Sequence, residues 1–518
     1  MKRLISLLAV LLVLSLCACD MSQTDEIPGT TDTQAESTVT VAPEPETEAE
    51  TQTEAAPDCN HADADDNGVC DVCTVSVMVS VDLFSVNDLH GKFNDTDDQP
   101  GVDELTTYLR SAVQANPYTV LLSAGDMWQG SSESNSTKGL IVTDWMNALD
   151  FAGMTLGNHE FDWGIDAILQ NAQLAEFPIL AINIYERDSN TLADYCTPSV
   201  LVDKGEVQIG IIGAIGNCYS SISADKIQDY YFVLDDALTE LVKAESDSLR
   251  AQGADIIVYA IHDGGGEYDS SLSNGYVDVV FEGHSHQNYV KKDAQGVYHL
   301  QGGGDNDGIT HATAKVNYVT GSVVVVTAEY LPTSRYQSLA DDPIVAELNQ
   351  KYASDLEIGN QNLGYNAKKR YSDQILQKVA DLYLSYGEER WGDQYDLVLG
   401  GGFLSARSPY DLEKGEVYYA DLQMLLPFDN QIQLCSIKGS DLLSRFINTT
   451  NDRYYISLSD YGADIKNSID PSATYYIITD TYCSSYAPNR LTMIDTYDQT
   501  TFARDLIAQY IKDGNWSK

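Results

Sequence analysis

Asn87-Asp88-Leu89-His90-Gly91 follows directly on an apolar, β-branched run at residues 77–86. A buried strand that runs into Asp-x-His places ligand-type side chains at one strand end, and layered α/β folds build their sites on that rim. Working outward, the pattern recurs. Gly125-Asp126 follows an apolar run at 119–123, His262-Asp263-Gly264 one at 256–261, and Gly283-His284-Ser285-His286 one at 277–281, while Gly157-Asn158-His159-Glu160 stands between them. Residues 207–215 read as a further strand, and residues 102–115 and 139–149 as helices. The second helix carries Leu140, Ile141, Trp145, Met146 and Leu149 on its apolar side. Strands alternating with amphipathic helices predict a βαβ-type layered fold.

The residue types at these strand ends suit one chemistry. Two divalent ions held close together need a bridging carboxylate, with neutral imidazoles, an amide oxygen and further carboxylate completing their shells. The chain has eight histidines, and five of them (His90, His159, His262, His284 and His286) fall in these clusters. Any one could be an ordinary surface or core histidine. Five clusters in order point to a metal site.

Asp-x-His, Gly-Asp, Gly-Asn-His-Glu, a lone His and Gly-His-x-His, in this order and spacing, resemble the calcineurin-like metallophosphoesterases. The words Asn87-Asp88-Leu89-His90-Gly91 and Gly157-Asn158-His159-Glu160-Phe161-Asp162-Trp163-Gly164 resemble the 5'-nucleotidase branch, and the resemblance extends from about residue 77 to the C-terminus. It implies an α/β fold, with an N-terminal four-layer α/β/β/α metallophosphoesterase domain and a C-terminal α+β substrate domain. It also implies hydrolysis of phosphate esters of extracellular nucleotides. Under it Asp88, His90 and His286 hold one ion, Asn158, His262 and His284 the other, and Asp126 bridges them. The nucleophile is a metal-bound water or hydroxide, and the ligand mix accepts Mn, Zn, Fe or Co. His159, oriented by Asp162, faces the phosphate, which agrees with the general expectation of a cation aimed at charge developing in phosphoryl transfer.

The C-terminal part is read more coarsely. Residues 344–356 predict a connecting helix, 372–384 another helix, and 395–399 a short strand running into a Gly-rich turn, Gly400-Gly401-Gly402-Phe403. With Arg407, Gly415-Glu416-Val417, Leu425-Leu426-Pro427-Phe428-Asp429-Asn430 and Ile437-Lys438-Gly439, these resemble the substrate domain of 5'-nucleotidases. That family grips phosphate with arginines and sandwiches the base between two rings, roles that guanidinium forks and aromatic faces suit. Leu399 and Leu404 stand where the family has Asn and Arg, and Arg407 follows three residues later. The order from Gly402 to Arg407 is closer to 2',3'-cyclic-nucleotide phosphodiesterases. A Gly-rich aromatic loop is replaced by Tyr482-Cys483-Ser484-Ser485-Tyr486-Ala487-Pro488-Asn489-Arg490. The candidate substrate residues are therefore Arg370, Arg407, Phe428 and Tyr486. A 2',3'-cyclic-nucleotide 2'-phosphodiesterase/3'-nucleotidase, a UDP-sugar hydrolase, and a surface-binding protein on an inactive phosphoesterase fold stand as alternatives.

At 518 residues, 43% of them hydrophobic, the chain can build more than one core. Met1-Lys2-Arg3 and the apolar run to Leu16 suit a signal peptide, and Leu16-Cys17-Ala18-Cys19 resembles the lipobox of bacterial lipoproteins. That implies a lipid on Cys19 and an extracytoplasmic protein anchored to the bacterial cell membrane. Residues 20–58, rich in Thr, Glu, Ala, Pro and Ser, read as a disordered acidic spacer. The formal net charge of -48 argues against polymeric nucleic acid and leaves small nucleotides as partners, drawn to a local cationic site. The expected organisation is a leader (1–18), tether (19–58), small module (59–75), metallophosphoesterase domain (76–335), linker helix (336–362) and substrate domain (363–518).

The small module reads three ways. Cys59-x-His61 with Cys70-x-x-Cys73 has zinc-compatible spacing. Asp63, Asp65, Asn67, Gly68 and Asp71 resemble the start of a calcium loop without its closing Glu. The third reading is an acidic linker with a disulfide.

Overall fold

Alternation along Met78–Val86 explains the architecture. Val81 and Leu83 point to one side of the strand, Phe84 and Val86 belong to a different core, and a strand with two apolar faces must lie between two layers. In the computed structural model, which describes residues 59–95, 100–263, 276–404, 411–451, 453–486, 489–497 and 502–516, it does so. The leader, the tether with Cys19, and Arg407 lie outside the described residues.

The first six-stranded sheet runs in the order Ser322–Pro332, Gly308–Asn317, Met78–Val86, Val120–Ser123, Gly153–Thr155, Ile179–Leu180. Its last four strands are parallel and its first two join antiparallel. The second sheet runs Asn288–Lys292, Tyr298–Gly302, Val279–Glu282, Ile256–His262, Gln208–Ile215, Ser199–Asp203, with four parallel strands inside two antiparallel edges. Val81, Leu83 and Leu122 of one sheet share a core with Ile209, Val258 and Phe281 of the other. Helices Asp103–Ala115, Leu140–Ala148 and Ile165–Leu174 supply the core on the outer face of the first sheet, and Asp235–Ala251 that of the second. The result is the four-layer α/β/β/α arrangement. Each large apolar side chain buried this way contributes about 1.5–3 kcal/mol. Trp145, fully buried, donates its indole N–H to Thr106 Oγ1 at 2.7 Å, so its one polar atom is satisfied.

A third large sheet, in the C-terminal part, has the order Tyr454–Leu458, Leu397–Phe403, Thr474–Asp480, Ile432–Lys438, Thr492–Thr496. Leu434 and Ile478 join a core with helices Ser372–Trp391 and Ala503–Lys512, while Cys435 and Ile477 face another core. Three local expectations change here. The helix predicted at 372–384 continues to Trp391. The connecting helix predicted at 344–356 breaks at Tyr352 into Pro343–Lys351 and Ala353–Leu356. Gly400-Gly401-Gly402 is no turn but the middle of a strand. A Cβ on Gly400 would meet Leu384 N at 2.4 Å, and one on Gly401 (φ +116) would meet Tyr455 O at 2.1 Å. The glycines let a helix and a neighbouring strand press onto this strand, so they serve packing rather than a phosphate cradle.

Residues 59–75 contain no regular element beyond the bridge Val69↔Ser76 and dock on the turn of the Gly308–Asn317/Ser322–Pro332 hairpin. Asp63 and Asp66 accept hydrogen bonds from Asn317 Nδ2 at 2.6 and 2.8 Å, and Asp66 accepts two more from Thr320 and Ser322 hydroxyls. Among the described residues no helix is long and apolar enough to cross a membrane.

Candidate active site

The strand ends converge. Asp88 and His90 follow Met78–Val86, Asp126 follows Val120–Ser123, Asn158 follows Gly153–Thr155, His262 closes Ile256–His262, and His284 and His286 follow Val279–Glu282. Ligand atoms of Asp88, His90 and His286 lie within 4.8 Å of one another, and so do those of Asp88, Asp126 and His262. His90 Nε2 is 3.0 Å from His286 Nε2, and His262 Nε2 is 3.1 Å from Asp126 Oδ2. The structure therefore brings together the acidic and imidazole groups singled out in the sequence, with the His284 ring 5.5 Å from that of His262.

The backbone is strained to achieve this. Fourteen non-glycine residues among those described have positive φ, and five are Asp88 (49°), His90 (51°), Asp126 (54°), His284 (74°) and His286 (54°). Left-handed backbone at non-glycine residues costs on the order of 1–3 kcal/mol each and persists where surrounding structure enforces it. Here the enforcement is visible. Asp88 N donates to Gly125 O, His90 N to Asp126 O, and His284 N to the Asp88 carboxylate at 2.9 Å. Gly157 leaves room for Asp126, because a Cβ there would lie 2.2 Å from Asp126 Oδ1.

Side-chain orientation follows the same logic. His262 gives its Nδ1 proton to Ala124 O at 2.7 Å, and His90 directs Nδ1 at Gln129 O at 3.0 Å, so Nε2 of each faces inward. Buried Asn158 Oδ1 makes no hydrogen bond, and His262 Nε2 faces the Asp126 carboxylate. Burial opposes charge on His262, yet the Asp126 carboxylate pushes its pKa up to about 10, while Asp126 itself, despite burial, is held well below the usual range by His262, His159 and His90. A pocket that rewards positive charge and holds an orphaned amide oxygen beside buried carboxylates fits divalent cations.

His159 stands beside this set. Its backbone N–H donates to Asp126 Oδ1 at 2.8 Å, its Nδ1 is 2.7 Å from Asp162 Oδ2, and its ring lies 5.3 Å from that of His90. Phe428, from the C-terminal part, stacks on the His159 ring at 5.9 Å and 28°. Tyr486 stacks on Tyr482. The Arg370 guanidinium sits over Trp516 at 4.9 Å and donates to Trp516 O and Asn366 Oδ1.

Four further residues in or near the site were not among the sequence candidates. Buried Glu160 accepts backbone N–H bonds from Asp126, Met127, Trp128 and Gly157 at 2.7–3.2 Å, fixing the loop that carries Asp126. Asn87 donates to Asp88 Oδ2 at 2.7 Å and to Gly303 O at 2.8 Å. Both sit inside quoted motifs, which was the available signal. Cys218 lies with His262 and His284, its thiol donating to His262 O at 2.8 Å, and burial pushes its pKa up. Arg504, 8% exposed, pairs with Asp429 and donates to Pro427 O at 3.0 Å, clamping the turn that presents Phe428.

Comparisons with known proteins agree with this site. The calcineurin-like phosphoesterase family matches residues 84–288. The chain is 27% identical over 412 residues to an apyrase of Tabanus yao, covering 70% of this chain and 72% of that protein. It is 26% identical over 416 residues to a 5'-nucleotidase of Bos taurus, covering 70% and 71%. The crystal structure of a 5'-nucleotidase precursor from Thermus thermophilus shares the fold, with TM-score 0.66, 20% identity, and coverage of 84% of this chain and 96% of that one. Residues 84–288 thus match the calcineurin-like phosphoesterases, and the likeness to an apyrase and a 5'-nucleotidase over 70% of the chain supports a phosphoric ester hydrolase.

Proposed function

We propose that this protein is a metal-dependent, extracytoplasmic 5'-nucleotidase. The observation that carries the reading is the convergence of Asp88, His90, Asp126, His262, His284 and His286 on one rim, with the orphaned Asn158 amide oxygen, the His159–Asp162 pair and an aromatic ring from the C-terminal part also present. Asp88, His90 and His286 would hold one divalent ion, and Asn158, His262 and His284 the other, with Asp126 shared between them. Bound there, such ions supply Lewis acidity toward water and neutralise phosphoryl oxygens.

The chain's own residues do the rest. Asp162 holds His159 through Nδ1, leaving Nε2 to place a proton on the leaving ester oxygen and to face negative charge on the phosphoryl group. Phe428 provides a flat apolar face for a nucleobase, Tyr486 or its stacking neighbour Tyr482 a second, and Arg407 a phosphate grip. The apyrase and 5'-nucleotidase relatives, matched over most of their length, support nucleotides as the substrate class. The lipobox-like Leu16-Cys17-Ala18-Cys19 supports an anchor on the outer face of the cell membrane.

The test is phosphate release from AMP, UMP, ATP, 2',3'-cyclic AMP and UDP-glucose with Mn²⁺ added, and Asp126→Ala as control. Metal-dependent release from 5'-monophosphates that the variant lacks is expected. Turnover limited to the cyclic ester or to UDP-glucose would replace this reading with a sister activity.

A further inference from the structure

The Cys59–Cys73 module has no part in the site described above. Its own chemistry is specific. Ligand atoms of Cys59, His61, Cys70 and Cys73 all lie within 4.8 Å of one another. Cys59 Sγ and Cys70 Sγ are 3.8 Å apart, and Cys73 Sγ is 3.4 Å from His61 Nδ1. A tetrahedral zinc ion with Zn–S near 2.3 Å and Zn–N near 2.0–2.1 Å has S···S edges of about 3.8 Å and S···N edges of about 3.5 Å. The two measured edges match both. All three cysteines are free thiols.

We infer that Cys59, His61, Cys70 and Cys73 form a structural zinc site that clamps residues 59–75 onto the metallophosphoesterase layers. Four protein ligands complete the tetrahedron and leave no open position, which distinguishes a structural from a catalytic zinc. The module also needs such a clamp. Val69 and Val72 are exposed, so residues 59–75 bury almost nothing apolar besides Cys70. Segments too small for a core are held by metals or disulfides. The calcium reading has less to stand on: Asp63, Asp65 and Asp71 come together, but they supply only three carboxylates where calcium takes six to eight oxygens, and Asp63 also accepts N–H bonds from Asn67, Gly68 and Asn317. Those aspartates serve instead to dock the module: Asp63 and Asp66 on Asn317, with the Val69↔Ser76 bridge and Cys70 N–H to Val75 O leading straight into Met78–Val86. The ion would therefore lie just ahead, in the chain, of the strand that delivers Asp88 and His90.

The test uses the full chain as exported by its host, with wild type, Cys70→Ser/Cys73→Ser and Asp126→Ala compared by elemental analysis. The expected result is one equivalent of zinc fewer in the double cysteine variant, and that equivalent retained in Asp126→Ala. Because the double variant could fail to fold, the wild type is also alkylated natively and mapped by mass spectrometry. Cys59, Cys70 and Cys73 should resist alkylation until a chelator is added, then react together. A mass that reveals a disulfide among them, alkylation at the same rate with and without chelator, or another metal in the missing equivalent would overturn the assignment.

Discussion

The ring of Phe428 lies 5.9 Å from that of His159 and within 28° of parallel, so a side chain from the C-terminal part closes over the imidazole beside the metal-ligand rim. Arg504 holds the turn that makes this possible by pairing with Asp429 and donating to the carbonyls of Pro427 and Phe428. Phe428→Ala removes the stacking face, and Arg504→Ala removes its support while leaving Asp429 half-buried without its partner. Stacking of this kind is worth about 0.5–1.5 kcal/mol, so KM for AMP should rise up to about tenfold in Phe428→Ala. Arg504→Ala should follow the same direction, and Phe428→Trp should restore most of the affinity. Steady-state kinetics check this, and an unchanged KM in Phe428→Ala would remove the ring from the substrate site.

His159 and Asp162 act as a pair, with Nδ1 and Oδ2 2.7 Å apart. Loss of a general acid typically costs about 10²–10⁴ in rate. His159→Ala should lower kcat in that range with a nucleotide whose leaving group needs a proton, and much less with p-nitrophenyl phosphate, whose leaving group does not. Asp162→Asn keeps the shape and disturbs the imidazole's orientation, so a smaller fall in kcat is expected with KM nearly unchanged. Equal losses on both substrates would argue for a role other than proton donation.

Glu160 supports the rim from behind. Its carboxylate collects backbone N–H groups of Asp126, Met127, Trp128 and Gly157, and so holds Asp126 in its left-handed conformation. Glu160→Gln replaces an acceptor oxygen by an amide that faces donors. Groups that orient metal ligands typically change affinity about 10–100-fold. The variant should need correspondingly more Mn²⁺ for half-maximal activity, and recover activity at saturating metal. A loss that excess metal leaves untouched would place Glu160 in folding rather than in ligand orientation.

The layered fold and the cluster of candidate metal ligands were legible because both are written in local patterns. Two-sided apolar strands announce buried sheets, and His, Asp and Asn at their ends have few structural uses in such number. The C-terminal site was harder to read. Gly400-Gly401-Gly402 looked like a turn, but the clashes a Cβ would make with Leu384 and Tyr455 are tertiary and leave no local trace. Arg370 matched by position alone, while Trp516, the residue that takes its guanidinium, lies 146 positions away. Arg504 was invisible for the same reason: its partners Pro427, Phe428 and Asp429 are distant in sequence.

A last prediction concerns stability. Asp82 Oδ1 lies 2.9 Å from His311 Nε2, and His311 Nδ1 lies 3.2 Å from Glu329 Oε1, while the His311 ring stacks on Phe84 at 4.2 Å. The hydrogen bond from His311 lowers Asp82 to about 2, against burial, and further bonds from Asn116 and Thr313 act the same way. Burial works to lower the His311 pKa, but its bonds to Asp82 and Glu329 outweigh that and raise it. A depressed carboxylate stabilises the fold above its unfolded pKa near 4 and loses that contribution as pH falls toward 2; a raised imidazole stabilises below its unfolded pKa near 6.5 and loses that as pH rises through its folded value. Both contributions are present together between about pH 4 and 6.5. His311→Gln should therefore cost about 1 kcal/mol near pH 5.5, after allowing for partial exposure of the pair, and less near pH 8. Urea unfolding at the two pH values measures the difference, and an equal cost at both would assign the loss to stacking on Phe84 rather than to charge.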